Sequence, residues 1–127
     1  MRTVLILEED GVVARAIARI MREAGWSVLQ ATSAQQAFTL GRLFSIDLLI
    51  ADVILSEGTG VQAARRLVAD RPGLHTLFVS EFSDWRLRRL LPAAGRCPFL
   101  QTPFTSTALL DSVASLIPEP LVLAHTA

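Results

Sequence analysis

The sequence contains no lysine and a single cysteine among its 127 residues. Its twelve basic residues are therefore all arginine, and they balance twelve acidic residues. A chain of zero net charge has no overall field that would attract nucleic acid or an acidic membrane, and the sequence has no basic recognition helix. Because Cys97 is alone, no disulfide can form within the chain, and nothing in the composition indicates an oxidising compartment.

Long hydrophobic runs are also absent, although 51% of the residues are hydrophobic. No stretch approaches the ~20 apolar residues of a membrane-spanning helix. The apolar part of the N-terminus is too short for a signal peptide. We therefore expect a cytoplasmic protein. The length suits one domain, which we predict over residues 1–118, with a C-terminal tail over residues 119–127.

Short apolar runs alternate with segments of helical periodicity along the whole chain. The runs are too short for stable helices, and the central ones are apolar on both faces, which is typical of parallel strands covered by helices on both sides. Parallel strands need right-handed crossovers. The segment order therefore predicts an α/β domain with a doubly wound parallel sheet of five strands and five helices. The runs are Val4–Leu7, Val28–Leu29, Leu48–Ala51, Leu77–Val79 and Phe99–Leu100.

The helical segments carry apolar stripes at helical spacing. In the first helix, Asp10 is the predicted N-terminal cap and Gly25 the predicted end. The fourth helix is expected from Asp84 to Leu91. The first two stripes are Val12, Val13, Ala16, Ile17, Ile20, Met21 and Ala24, and then Ala34, Ala37, Phe38 and Leu43.

Acidic and hydroxyl residues follow four of the five predicted strands. Parallel sheets bind ligands at the carboxyl ends of their strands, so these residues converge on one edge. Clustered carboxylates raise one another's pKa values and need a cation, and carboxylate oxygens suit a hard ion such as magnesium. One carboxylate could also accept a phosphoryl group as a nucleophile. A single such residue is more often a helix cap, but the recurrence favours a site. The residues are Glu8-Glu9-Asp10, Asp52, Ser80-Glu81 and Gln101-Thr102.

These positions carry a resemblance to a known family. From Thr3 to Ile117 the chain resembles the receiver domains of two-component response regulators. The order and spacing of the matching motifs are more specific than any one of them. The resemblance implies a flavodoxin-like sheet with strand order 2-1-3-4-5. The motifs are Val4–Asp10, Asp47–Asp52, Gly60, Leu77–Ser80 and Phe99–Phe104.

The resemblance also implies a phosphoacceptor and a weak Mg²⁺ site. Asp52 matches the phosphoacceptor and is itself a metal ligand. Glu9 matches the direct acidic ligand, Glu8 the outer-shell acid, and Ile54 the residue whose backbone carbonyl completes the metal site. The resemblance therefore implies a signalling phosphoacceptor rather than an enzyme in the usual sense.

A switch is implied on the neighbouring strands. Ser80 matches the hydroxyl residue that bonds the phosphoryl group, and Phe99 matches the aromatic residue that moves with it. The family commonly has a cis peptide bond at the position of Thr102-Pro103, and we predict one here. The sequence departs from the family at Thr102, where a lysine is usual, at Glu9, where aspartate is usual, and at Glu81, where a small residue is usual.

Two functions remain open at this stage. In the first, the chain is a stand-alone receiver that takes a phosphoryl group from a histidine kinase or phosphotransfer protein. It would then signal to a downstream protein, or as a homodimer, through the face formed by the fourth helix, the fifth strand and the fifth helix, where Trp85 lies. In the alternative, the chain is a pseudo-receiver that binds its partner without phosphate, as Thr102 and Glu81 favour. A flavin protein is disfavoured because Glu8 and Glu9 would repel a phosphate after the first strand. We expect no contact with nucleic acid or membrane.

Overall fold

The computed structural model describes residues 1–90 and 98–118 and contains one sheet of five parallel strands in the order β2-β1-β3-β4-β5. This confirms the predicted fold class and strand order. The predicted tail, Leu91 and Cys97 lie outside the described residues. The strands are β1 (Thr3–Leu7), β2 (Ser27–Ala31), β3 (Leu48–Asp52), β4 (His75–Ser80) and β5 (Phe99–Gln101). The helices are α1 (Gly11–Glu23), α2 (Ala34–Leu43), α3 (Gly60–Asp70), α4 (Asp84–Leu90) and α5 (Ser106–Leu116).

The apolar strand runs are buried on both sides because the sheet separates two hydrophobic cores. Alternate residues of each strand face opposite sides. Leu5 and Leu49 face the core formed with α2 and α3, whereas Ile6 and Ile50 face the core formed with α1 and α5. All four side chains are fully buried, which explains why β1 and β3 are continuous hydrophobic runs in the sequence.

Helix termini follow the capping chemistry of the sequence. Asp10 accepts hydrogen bonds from the backbone N–H groups of Val12 and Val13, and Gly25, just past α1, has a φ of 97°. α3 begins with a capping box in which Thr59 and Gln62 bond each other's backbone N–H groups. These caps satisfy N–H groups that have no partner within a helix, so the start of each helix is fixed relative to the strand before it.

Four apolar residues that the stripes assign to the core are exposed, namely Val12, Ala16, Ala24 and Leu43. Val12 is 68% exposed and Leu43 is 70% exposed. The buried positions of α1 are Ala14, Ile17, Ala18 and Met21, so its core-facing stripe is rotated from the predicted one. In α2, Gly41 takes the buried position instead of Leu43. Within residues 1–90 and 98–118, no helix is long and apolar enough to cross a membrane.

Candidate functional site

The strand register brings Glu8 beside Asp52. Leu7 pairs with Ala51 in the parallel ladder between β1 and β3, so the next residue on each strand stands level with the other. The backbone N–H of Glu8 donates to the carbonyl of Ala31 over 3.0 Å. That bond fixes the chain where it leaves β1. The register of the two strands is therefore enough to bring the two acids together.

Glu8 is buried, with 4% of its surface exposed, and its side chain lies next to that of Asp52. Burial, followed by the hydrogen bond and the negative charge of Asp52, raises the pKa of Glu8 from 4.5 to about 8. A buried carboxylate is unfavourable and a second one beside it is more so. At neutral pH Glu8 therefore holds a proton in the absence of a cation.

The pKa of Glu9 is shifted in the opposite direction from that of Glu8. Its carboxylate accepts hydrogen bonds from both the backbone N–H and the hydroxyl group of Ser56, in the loop after β3. These two donors favour the charged form and lower the pKa of Glu9. Ser56 was not predicted as a site residue, because nothing in its sequence position distinguishes it from other loop serines.

The backbone after β3 holds Asp52 in place. One oxygen of Asp52 accepts a hydrogen bond of 3.1 Å from the backbone N–H of Ile54. The start of α3 packs directly behind it, because a Cβ atom at Gly60 would overlap the backbone carbonyl of Asp52. A glycine at position 60 is thus required by the close approach of two backbone segments.

The ends of β4 and β5 form the other side of the site. Ser80 is 3% exposed, and its hydroxyl oxygen accepts a hydrogen bond of 3.1 Å from the N–H of Phe82. The N–H of Thr102 donates to the carbonyl of Ser80 over 2.8 Å. Glu81 is exposed, and its carbonyl accepts from the side chain of Gln101. The residues at positions 80, 81 and 102 therefore lie close together at one edge, as expected of neighbouring strand ends.

Three further predicted features belong to the site: Phe99, the Thr102-Pro103 peptide bond and Ile54. Phe99 is half-buried and packs against the core on the α2 and α3 side of the sheet. The Thr102-Pro103 peptide bond is cis, which confirms that prediction. Ile54 is 41% exposed and forms a bridge with Thr59 in the loop before α3.

Two of the three acids are placed so that they could bind a divalent cation, and the third is bonded to Ser56 instead. In the part of the chain that the structure describes, no three acidic, histidine or cysteine side chains are grouped so as to hold a metal ion. Glu8 lies against Asp52 and, with its raised pKa, holds a proton that a cation could replace. Glu9 would first have to leave Ser56. The residues therefore offer an oxygen pair to a hard ion, with the third acid held nearby by hydrogen bonds.

A comparison with protein families matches residues 4–114 to the response regulator receiver domain. Because the match covers most of the chain, the protein belongs to this family. Receiver domains are signalling modules of two-component systems that act as phosphoacceptors. The family assignment agrees with the α/β fold and with an acidic pair at the ends of β1 and β3.

The chain is similar to part of one curated relative and to nearly the whole length of another. It is 27% identical to the sensor kinase CckA of Brucella abortus over 91% of this chain, but spans only 12% of that relative. It is 23% identical to the response regulator receiver protein CpdR of the same organism, over 92% of this chain and 98% of the relative.

A solved structure supports the same fold. The response regulator TrrA of Thermotoga maritima, in complex with Mg²⁺-BeF, superimposes with a TM-score of 0.80 at 16% identity. The superposition covers 92% of this chain and 100% of TrrA. At this level of identity, the likeness concerns the fold alone.

Proposed function

We propose that the chain is a stand-alone receiver that accepts a phosphoryl group on Asp52 and signals by binding a partner protein. The donor would be a phosphohistidine of a histidine kinase or phosphotransfer protein. An oxygen of Asp52 would attack phosphorus, the bond from phosphorus to the imidazole nitrogen would break, and an acyl phosphate would form. The similarity to CpdR, which extends over 98% of that receiver protein, supports a stand-alone module.

The observation that carries the proposal is the contact between buried Glu8 and Asp52 at adjoining strand ends. Two acids in contact, one of them nine-tenths buried, are unfavourable for folding unless they serve a ligand. Ser80 lies on the next strand, where its hydroxyl group could donate to a phosphoryl oxygen. Its own oxygen is already satisfied by the N–H of Phe82, so the hydroxyl hydrogen is available.

Mg²⁺ is part of the proposal, and when bound it would neutralise charge on the phosphoryl oxygens. Glu8 and Asp52 would hold it, with Glu9 and the carbonyl of Ile54 completing the set after Glu9 leaves Ser56. TrrA, which has the same fold, was solved with Mg²⁺-BeF. The proposal also includes the cytoplasmic location expected from the sequence, and the face of α4, β5 and α5 as the output surface.

The second candidate is a pseudo-receiver that recognises its partner without phosphate. Two observations favour it. Thr102 stands where the resemblance implies a lysine, and the chain contains no lysine that could replace it. In addition, Glu9 is satisfied by Ser56 and Glu8 by Asp52, so the acids have partners within the chain when no cation is bound.

Intact-mass spectrometry after incubation with acetyl phosphate and MgCl₂ separates the two candidates. The receiver hypothesis predicts a gain of one phosphoryl group in the wild type. It predicts no gain in Asp52→Asn, because an amide is a far poorer nucleophile than a carboxylate. Asp111→Asn, which changes an exposed acid of α5, is the matched control and should be modified like the wild type.

The outcomes differ sharply between the candidates. A wild type that stays unmodified, even with a competent kinase, would contradict the receiver hypothesis and leave the pseudo-receiver. Equal modification of the Asp52→Asn protein would mean that another residue is the nucleophile.

A further inference from the structure

A groove of about 410 Å³ lies between the C-terminal halves of α2 and α3 on the surface of the protein. We name it the arginine groove and define it by Arg42, Arg66 and Arg71, with Phe38 and Leu67 beneath them. Helices in this fold run antiparallel to the strands. The C-terminal halves of α2 and α3, which form the groove, therefore lie toward the edge of the sheet opposite Asp52. The groove is thus separate from the candidate phosphorylation site.

Two of the three guanidinium groups in the groove are held in fixed positions. Arg66 lies over the ring of Phe38, with 4.1 Å between its guanidinium carbon and the ring centroid. Arg71 donates hydrogen bonds to the backbone carbonyls of Gly41 and Phe44, where α2 ends. Side chains fixed in this way lose little conformational entropy when a ligand binds. The groove is therefore preorganised for an anion.

The charge of the groove is not neutralised by the chain itself. Its lining contains three arginines and one acid, Asp70. Within the described part of the chain, neither Arg42 nor Arg66 forms an ion pair. By contrast, Arg19 on α1 pairs with Glu23 at 3.1 Å. On a chain of zero net charge, this concentration of unpaired cations is a local feature, and it would attract a negatively charged partner.

The groove also offers apolar surface beside the charges, from the half-buried ring of Phe38. Gly41 is buried against Leu67, and a Cβ atom at position 41 would lie 2.9 Å from a methyl carbon of that leucine. Phe44 does not line the groove but lies next to it, since Arg71 binds its carbonyl, and it is 47% exposed. A lone small anion would use only the guanidinium groups. A peptide with carboxylates on either side of an apolar side chain would use the whole surface.

We propose that the arginine groove is a docking site for an acidic segment of a partner protein, occupied whether or not Asp52 is phosphorylated. Arginine binds carboxylates through paired, charge-assisted hydrogen bonds, and it is among the residues most enriched in interface hot spots. Because the groove lies away from the strand ends that carry Asp52, its affinity should not depend on chemistry there. The proposal stands independently of the phosphoacceptor hypothesis.

The test uses a short synthetic glutamate-rich peptide with a central leucine, titrated against the full chain while backbone amide shifts are followed. Shifts should cluster on α2 and α3. Arg66→Glu and Arg42→Glu should each weaken binding about tenfold, which corresponds to ~1.4 kcal/mol. Arg65→Glu is the matched control, because it makes the same charge change on an exposed residue of α3 outside the groove. It should change the affinity less than about twofold.

Three further measurements make the result decisive. Asp52→Asn should bind the peptide as the wild type does, and the same peptide with glutamine in place of glutamate should not bind. Equal losses in Arg65→Glu and Arg66→Glu would overturn the proposal, because they would indicate only a diffuse field. Inorganic phosphate that displaces the peptide at equal concentration would overturn it in favour of a small-anion site. Association of the chain with itself that is lost in Arg66→Glu, without peptide binding, would overturn it in favour of a second copy as occupant.

Discussion

The two halves of the candidate site differ in how their charges are balanced. In the acidic half, formed by Glu8, Glu9 and Asp52, each acid accepts or shares hydrogen bonds with neighbouring groups. In the switch half, formed by Ser80, Glu81 and Thr102, the backbone is well bonded but no side chain carries a positive charge. The resemblance to receiver domains implies a lysine at the position of Thr102, and under the proposed function the phosphoryl group would therefore face acids on one side without a cation on the other.

This difference shows that the acidic half can persist when the positive charge of the switch half is lost. The acidic half is assembled by the register of β1 and β3, which the core enforces whatever the side chain at position 102 is. A fixed ammonium group in the switch half would depend on one residue alone. A chain can therefore lose the cation and keep the fold and the acids, and the magnesium ion of the proposal becomes the main source of positive charge. Each prediction below changes one half and leaves the other intact.

The largest expected effect is a dependence of stability on pH that arises from Glu8. The raised pKa of about 8 means that the folded protein holds a proton that the unfolded chain, with an ordinary pKa of 4.5, has released. The free energy of unfolding should thus fall as pH rises from about 5 to about 8, by about 1 kcal/mol per pH unit, and level off above that. Urea denaturation in magnesium-free buffer measures it.

Glu8→Gln is the variant that isolates this effect. The glutamine keeps the size of the side chain and cannot ionise, so the decline between pH 5 and pH 8 should disappear. Glu57→Gln, an exposed acid of the neighbouring loop, should retain the decline. A wild type whose stability does not fall over this range would show that Glu8 does not hold the proton. Added MgCl₂ should flatten the decline, because a cation replaces the proton.

Thr102→Lys tests the switch half and should raise the rate of phosphoryl uptake by up to about a hundredfold. Removal of one hydrogen-bond donor that faces the charge developing in a transition state commonly costs ~10²–10³ in rate. The measurement is the time course of modification by acetyl phosphate. Thr107→Lys, which introduces the same charge at an exposed position of α5, is the control and should change the rate little. If both variants accelerate uptake equally, the effect is one of general charge.

Gly60→Ala tests how tightly the acidic half depends on its backbone. The added Cβ atom would overlap the carbonyl of Asp52, so β3 or the start of α3 must move, at a cost of ~1–3 kcal/mol in the free energy of unfolding. Gly73→Ala is a matched control, because a Cβ atom there has no neighbour within 4 Å. Thermal or urea denaturation compares the two. Equal stabilities would mean that the loop after Asp52 adapts without strain.

Much of the fold could be predicted from the sequence because local and global signals agree. Apolar runs that are buried on both sides identify β1, β3 and β4, and Asp10 caps α1 as its sequence suggests. The exposed Val12 and Leu43 were assigned wrongly, because a stripe of apolar residues can be placed at two rotations when alanine and glycine also face the core. Burial of Gly41 beside Leu67 is a packing effect that hydrophobic periodicity does not register.

The sequence proposes the residues of the candidate site but not the contacts among them. Order and spacing were enough to propose Glu8, Asp52 and Ser80, since parallel strands bring their ends to one edge. The resemblance implies Glu9 as the direct metal ligand, which stays a prediction; in the structure its carboxylate bonds Ser56, and Glu8 lies against Asp52. Which of two adjacent acids turns inward depends on the loop after β3, and a single sequence does not contain that geometry.

The smallest expected effect concerns Glu81, the exposed acid of the switch half. Its carboxylate would repel an incoming phosphoryl group, but solvent screens an exposed charge, so its removal is worth less than ~1 kcal/mol. Glu81→Ala should therefore raise phosphoryl uptake by no more than about fivefold, measured by the same time course. Because screening grows with ionic strength, the gain should shrink in high salt, which distinguishes charge repulsion from steric hindrance by the side chain.

Glu57→Ala removes an exposed acid from the loop after β3 and should have little effect. A gain in Glu81→Ala that is unchanged in high salt would assign the effect to steric hindrance instead, and the two halves of the site would then differ in shape as well as in charge.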